Sequence, residues 1–457
     1  MKKTFISGWF LGFGWFSFGL YWIGSAFLVA DTYHKVLMPI AVIILPAILA
    51  VFWGFACVLS KLLSKKNHSS IFLTIIFLTL FEYLRAKVFT GFPWLMPSII
   101  LSSNVFLIQI FSFIGSFTAN LFVFSLSVLP FIFISYSRRK YIIFSSLFIP
   151  ITILLVLSVI RFYNKDIQKI DNQLITLVQP NIEQKDKWRP ETRNISLKKL
   201  IQLSKQNVSE FKDINRIIIW PETSFEGSIP NEMNFLSNIS KKILTDPKAV
   251  LVVGLLRVET NKLFNSLVFV NSKGDIINKY DKIHLVPFGE YIPFRSKFIT
   301  IANFLSTKDF TSGSIEPNFK LKGFGEILTL ICYEILFTDE VTARLSKNTN
   351  LLINITNDAW FGKTVGPYQH LALAKIKAVE LGIPLARVAN TGISALISPY
   401  GKEITSIPLY ESGVKTVSLV SPLEYTIYRK YGEIIFLVSI LSLLIINKLS
   451  VIKIVRE

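Results

Sequence analysis

Charge is scarce in this chain. Only 17% of its 457 residues are Asp, Glu, Lys or Arg, and the 50 residues between Lys87 and Arg138 contain none. A surface that faces only water needs more charge than that, which excludes a purely soluble class. Cysteine is almost missing as well. Cys57 lies inside an apolar run and Cys332 in a strand-like segment, so a disulfide framework is excluded. His284 has no second His or Cys at metal-ligand spacing, and no metal site is expected.

What is abundant is apolar: 51% hydrophobic residues, 39 of them Phe. The length leaves room for two or three domains. The net charge of +19 points to anionic lipid head groups. No basic, aromatic-interleaved module supports nucleic acid as a partner. The start, Met1-Lys-Lys-Thr, runs into an uncharged stretch to Ala30, too long for a signal peptide and without a small-residue cleavage site. It predicts a membrane helix.

Six spans are predicted, at residues 4–30, 36–60, 69–88, 112–134, 141–160 and 434–452. Phe89–Phe111 is left as an uncharged loop or re-entrant segment. The basic clusters are Lys2-Lys3, Lys61 with Lys65 and Lys66, Arg138-Arg139-Lys140, and Lys448 with Lys453 and Arg456. Alternation through six spans puts all four on the cytoplasmic side. It then puts residues 166–428 on the other side, the periplasm of a Gram-negative cell. The bundle is expected over residues 1–165, with a last span and cytoplasmic tail over 429–457.

Residues 166–428 have a different texture. Strand patterns occur at Leu174–Val178, Arg216–Trp220, Val250–Gly254, Ile327–Cys332 and Leu351–Thr356, with amphipathic helices at Asn194–Ser209 and Gln369–Leu381. This alternation predicts a layered α/β domain. Functional residues in such folds collect beyond the carboxyl ends of strands. Those positions hold Glu222 after Trp-Pro, Cys332 with Tyr333 and Glu334, and Asn357-Asp-Ala-Trp360-Phe-Gly362. A loop with little apolar periodicity adds Lys282, His284 and Glu290. A carboxylate can take a thiol proton, and an ammonium can favour the thiolate and an oxyanion. Such a set suits acyl transfer through a thioester. Singly, each has an ordinary structural explanation, as a turn acid, a solvated lysine or a buried thiol.

Together, Trp-Pro-Glu222, Tyr280-x-Lys282-x-His284-Leu-Val-Pro-Phe-Gly-Glu290 and Cys332-Tyr333-Glu334 resemble the nitrilase superfamily, and most closely its apolipoprotein N-acyltransferase branch. The similarity extends to Glu82-x-x-Arg85, Gly91-Phe-Pro-Trp94, Gln179-Pro-Asn181 with Trp188, Gly366-Pro-Tyr-Gln-His370 and Arg387-x-x-Asn390-x-Gly392. The resemblance implies a nitrilase-like α-β-β-α sandwich on a transmembrane helix bundle, acting as a monomer without cofactor. It implies Glu222 as general base, Lys282 as electrostatic stabiliser and Cys332 as nucleophile, supported by Glu290, Glu334 and Tyr333. Trp188, Asn357, Trp360 and Arg387 would contact substrate, Trp188, Tyr333 and Trp360 lining a lipid entrance. The implied donor is a glycerophospholipid and the acceptor the N-terminal S-diacylglyceryl-cysteine of a lipoprotein. A membrane-tethered amidase or thioesterase, with water as acceptor, keeps the same three residues. The resemblance also implies eight spans, two more than are counted, through either a shortened start or a real truncation.

Overall fold

The computed structural model describes residues 1–29, 33–64, 67–135, 140–187, 189–206, 213–229, 233–297, 309–315 and 318–452. Helices fill the first third. Lys2–Leu20 and Ile23–Val29 form a bent pair, followed by Met38–Leu63, Asn67–Arg85, Phe111–Ser135 and Lys140–Tyr163. One more, Ile434–Ile452, closes the described chain. Their outward faces are apolar yet exposed, as at Ile40, Ile44 and Ile48, Ile149, Ile153 and Val156, and Leu437, Leu441 and Ile445. The i, i+4 spacing makes these rows continuous stripes, a surface suited to hydrocarbon rather than water.

Six spans were expected, and the structure supports fewer. Three helices among the described residues, Lys35–Leu63, Leu107–Ile132 and Tyr141–Tyr163, are long and apolar enough to cross a membrane. The first pair, bent by 40°, makes a fourth if it is one span. The expected spans at 69–88 and 434–452 are largely helical, but the helix of the former, Asn67–Arg85, carries Glu82 and Arg85, and the apolar part of the latter covers only Ile434–Leu449. Residues 89–110 form short 3-10 turns at Val88–Thr90, Pro97–Ser103 and Leu107–Ile110, in keeping with a segment that does not span. Lys65, Lys66, Arg138, Arg139, Lys453 and Arg456, half of the charge argument for sidedness, lie outside the described residues.

The rest is a two-sheet sandwich. One sheet holds β1 (Lys169–Gln179), β2 (Asn215–Ile219), β3 (Phe225–Ile229), β4 (Ala249–Glu259), β5 (Lys262–Asn271), β6 (Ile276–Asp281) and β13 (Gly413–Val420), in the order β13-β1-β2-β4-β5-β6 with β3 beside β4. The other holds β7 (Phe319–Leu321), β8 (Gly325–Ile331), β9 (Thr349–Thr356), β10 (Leu385–Ala389), β11 (Ser394–Ile397) and β12 (Glu403–Ile407), ordered β12-β11-β10-β9-β8-β7. All five expected strands are present. The remaining eight were missed because edge and antiparallel strands such as β5 and β6 mix polar residues into their runs. The helix Pro190–Ser204 starts earlier than expected because Pro190 is preorganised for a first turn.

Strand alternation assigns the layers. Ile217, Ile219, Val250 and Val252 face Ile327, Ile331, Ile353 and Ile355 across the inter-sheet core. The opposite faces of β2 and β4 pack on Leu200, Leu236 and Ile239 of two outer helices. On the second sheet, Leu328, Leu330 and Leu352 instead join Ala374, Ala378 and Leu381 of helix Gly366–Leu381, and through it the helix bundle. One apolar cluster therefore runs from the outer face of the second sheet into the membrane-type helices. The centres β1-β2-β4 and β8-β9-β10 are parallel, so their carboxyl ends gather at one edge of each sheet.

Candidate active site

Each functional side chain follows a strand end. After β2, the Trp220 amide still donates to Val252 O at 2.9 Å, but Pro221 has no amide to continue the ladder. Glu222 follows, in a turn where Thr223 takes φ +45°. Beneath it lies Gly254 of β4. A Cβ there would sit 2.4 Å from Pro221 O and 2.7 Å from the Glu222 Cα, so only glycine lets the two backbones pass. Lys282 follows β6, its amide donating to Asn265 O and its carbonyl accepting from Gly313 N, each at 2.8 Å. Cys332 follows β8 at φ +54°. A non-glycine residue in the left-handed region costs about 1–3 kcal/mol, and such strain is typical of functional turns. Two side chains hold its carbonyl: Asn354 Nδ2 donates at 3.2 Å, and His370 Nε2 lies at 3.3 Å.

Glu222, Lys282 and Glu290 form one cluster. The Lys282 ammonium, 1% exposed, is 2.9 Å from the Glu290 carboxylate and 3.8 Å from Glu222 Oε1. Asn265 Nδ2 ties the two acids by donating to Glu222 Oε1 at 2.7 Å and Glu290 Oε1 at 3.0 Å. The Val286 amide donates to the second Glu290 oxygen at 2.8 Å. Burial alone would strip the proton from Lys282, but Glu290, then Glu222, outweigh it and push its pKa up. The group is a permanent cation. Burial pushes the Cys332 thiol up, helped by Glu222 and opposed by Lys282. The resting thiol is therefore protonated and needs a base at the moment of attack.

Glu334, expected as a supporting residue, bonds to the loops around the site. Oε1 accepts from Tyr280 OH and Ile283 N at 2.7 Å and from His284 N at 3.1 Å, and Oε2 accepts from Ile331 N at 2.7 Å. A carboxylate with this many donors is a clamp: it binds the Lys282 loop to the Cys332 turn. Burial raises its pKa despite nearby Arg344.

Arg387 was assigned to substrate contact, and the structure contradicts that. It is fully buried, donating to Asn354 Oδ1 at 3.0 Å and Asp358 Oδ2 at 2.6 Å. Asp358 also accepts from Thr356 at 3.0 Å and meets His370 Nδ1 at 2.9 Å. Burial works against the Asp358 carboxylate, yet Arg387 and His370 hold its pKa down to about 2. Arg387 thus acts through Asn354 and Asp358 on the Cys332 backbone. Asn357 is likewise buried and committed to Gln184 at 2.8 Å and Asn390 at 3.1 Å, which argues against substrate contact. Trp360, 39% exposed, does face outward. Tyr333 is buried, stacked at 15° on Trp94 and donating to Gly91 O at 3.4 Å, so it joins the site to the bundle rather than lining open space. Trp188 lies outside the described residues.

Two sequence families match this architecture. Residues 174–425 match carbon-nitrogen hydrolase, and residues 1–129 match the apolipoprotein N-acyltransferase N-terminal domain. An apolipoprotein N-acyltransferase from Rhodopseudomonas palustris is 34% identical over 448 residues, 94% of this chain and 82% of that protein. One from Brucella suis is 33% identical over 460 residues, 96% and 84%. The chain belongs to the apolipoprotein N-acyltransferase family, within the nitrilase superfamily. Among solved structures, an amidase from Nesterenkonia sp. AN1 is 18% identical with a TM-score of 0.44, covering 58% of this chain and 97% of that one.

Within this family member, sequence reasoning missed Asn265, Asn354 and Lys187. Asn265 and Asn354 interrupt apolar strands, and an amide in a strand core is the signal that would have found them. Lys187 is buried and donates to Glu222 O at 3.1 Å and Thr223 Oγ1 at 2.6 Å, fixing the Glu222 turn from below. Nothing in its local sequence distinguishes it from a solvated lysine.

Proposed function

We propose that the chain moves a fatty acyl group from a glycerophospholipid, through a thioester on Cys332, to the α-amino group of the S-diacylglyceryl-cysteine that begins a lipoprotein. The observation that carries this reading is the buried Lys282 ammonium between Glu222 and Glu290, beside a thiol on a strained turn. In the first half, Glu222 takes the Cys332 proton as sulfur attacks the ester carbonyl. Lys282 faces the oxyanion that forms, and a preorganised cation in a dry site is the strongest stabiliser available to it. Collapse breaks the ester C–O bond, and Glu222 returns its proton to the leaving lysophospholipid alkoxide. In the second half, the acceptor amine attacks the thioester, loses its proton to Glu222, and the thiolate leaves. Glu290 holds Lys282 in place throughout.

We place the protein in the bacterial inner membrane, residues 1–165 and 429–457 forming the embedded part and 166–428 the periplasmic domain. The exposed apolar stripes and the basic loop clusters support this arrangement. A hydrolase of soluble amides has no use for such a bundle.

The test is mass spectrometry of the Cys332 peptide after incubation with phospholipid. A fatty-acyl adduct with lysophospholipid release, both absent in Cys332→Ser, is expected. Adding a diacylglyceryl lipopeptide should then yield acyl-lipopeptide. Free fatty acid instead would make the enzyme a hydrolase, and no adduct at all would remove the thioester from the scheme.

A further inference from the structure

One cavity lies well away from Cys332. It encloses about 520 Å3 at the opposite end of the second sheet, where β8 and β9 begin, and is walled by the segment leading into helix Ile434–Ile452. Six or seven residues of strand separate it from the nucleophile, about 20 Å at the usual rise.

Three cations line it: Lys320, Lys347 and Arg429. None of them pairs with a carboxylate among the described residues, although Lys320 sits directly across from Glu326 in the β7–β8 ladder. Glu326, which accepts from the Ser346 hydroxyl, and Glu424 also line the cavity, so three cations face two carboxylates and one positive charge is in excess. The Arg429 guanidinium is held by two backbone carbonyls, donating to Ser346 O at 2.9 Å and Lys347 O at 3.1 Å. Its guanidinium lies 5.7 Å from the Tyr425 ring centroid. Such anchoring fixes the charge without neutralising it.

The surroundings say what anion fits. Tyr425, Ile427, Tyr431 and Ile434 are all about half-exposed, and the apolar helix starts immediately after them. Amphipathic aromatics just before an apolar helix mark the head-group level of a bilayer. An open cationic cavity at that level faces phosphodiesters at high local concentration. We propose that this cavity binds the head-group phosphate of an anionic glycerophospholipid that is not the acyl donor. The proposal rests on Ile434–Ile452 lying in the membrane, and not on acyl transfer.

The experiment uses the full chain carrying Cys332→Ser, so that no lipid is consumed, in a neutral detergent. Native mass spectrometry then measures retention of phosphatidylglycerol, phosphatidylcholine or inorganic phosphate. Phosphatidylglycerol should be retained at concentrations at least tenfold below phosphatidylcholine. Lys320→Gln with Lys347→Gln should weaken it about 25-fold, near fivefold for each lysine. The thermal midpoint without lipid should not move, since neither lysine ammonium is bonded to another group among the described residues. Equal retention of the two lipids, or retention unaltered in the double variant, overturns the proposal. Competition by inorganic phosphate without lipid preference would make it a free-anion site and overturn the lipid assignment. Lipid retention lost in the variants while Cys332 in the unmodified chain never acylates would sink the transfer reading alone.

Discussion

Sulfur and ammonium at the site pull against each other through the medium around them. Burial and Glu222 raise the Cys332 thiol, while Lys282 favours its thiolate. Alkylation of Cys332 by iodoacetamide should accordingly keep accelerating as pH rises beyond about 8.5, the midpoint of an ordinary thiol. A plateau at or below that value would show the thiolate to be preformed. Lys282→Met removes the one charge that lowers the thiol, so alkylation at neutral pH should slow. Acylation by phospholipid should fall by about 10²–10³, the usual loss for one oxyanion partner. Near-normal acylation in that variant would remove the lysine from the mechanism. Glu222, Lys282 and Cys332 were legible as residue types at strand ends. That Glu334 clamps two loops and Arg387 never meets solvent was not, because hydrogen-bond partners 29 to 54 positions away leave no local pattern.

Strand β4 shows how an element carries a site without contributing to its chemistry. Gly254 passes under the Glu222 turn with no space for a methyl group. Gly254→Ala should push Glu222 away from Asn265 and Lys282, at a cost of about 1–3 kcal/mol for overpacking. Acylation should drop at least tenfold while the circular dichroism spectrum is kept. Gly413→Ala in β13 is the control, since its nearest neighbour would be an ordinary 3.6 Å from Ile407. Equal effects of the two substitutions would mean the close approach does not matter. The five strands read from the sequence carry continuous aliphatic runs, as strands buried on both faces do, whereas β10 and β11, equally buried, are only five and four residues long.

For the whole molecule, the question is how the sandwich is fastened to the bundle. Gln369 is one fastener: its Oε1 accepts from Trp22 at 3.0 Å and Trp94 at 2.8 Å, and its Nε2 donates to Gly19 O at 2.9 Å. Trp94 in turn lies 5.2 Å from His370 and stacks on Tyr333. Arg85, paired with Glu82 at 2.6 Å inside the bundle, donates to the Trp94 carbonyl at 3.1 Å. Gln369→Ala leaves two indole N–H groups without their partner, each worth about 1–3 kcal/mol when buried. Acylation by phospholipid should fall about tenfold with alkylation of Cys332 by iodoacetamide unchanged, because the small reagent does not need the bundle. A parallel loss of both would mean that Gln369 supports the site itself. Sequence alone determined the apolar runs, the α/β texture and the residue types at the strand ends, since periodicity and residue type are local properties. Tertiary structure decided that Cys332 stands on a left-handed turn, that Asn265 bridges two acids, and that three or four of the described helices are long and apolar enough to span. Those depend on how two sheets stack and on which helix faces are covered, and no window of sequence contains both sides of such a contact.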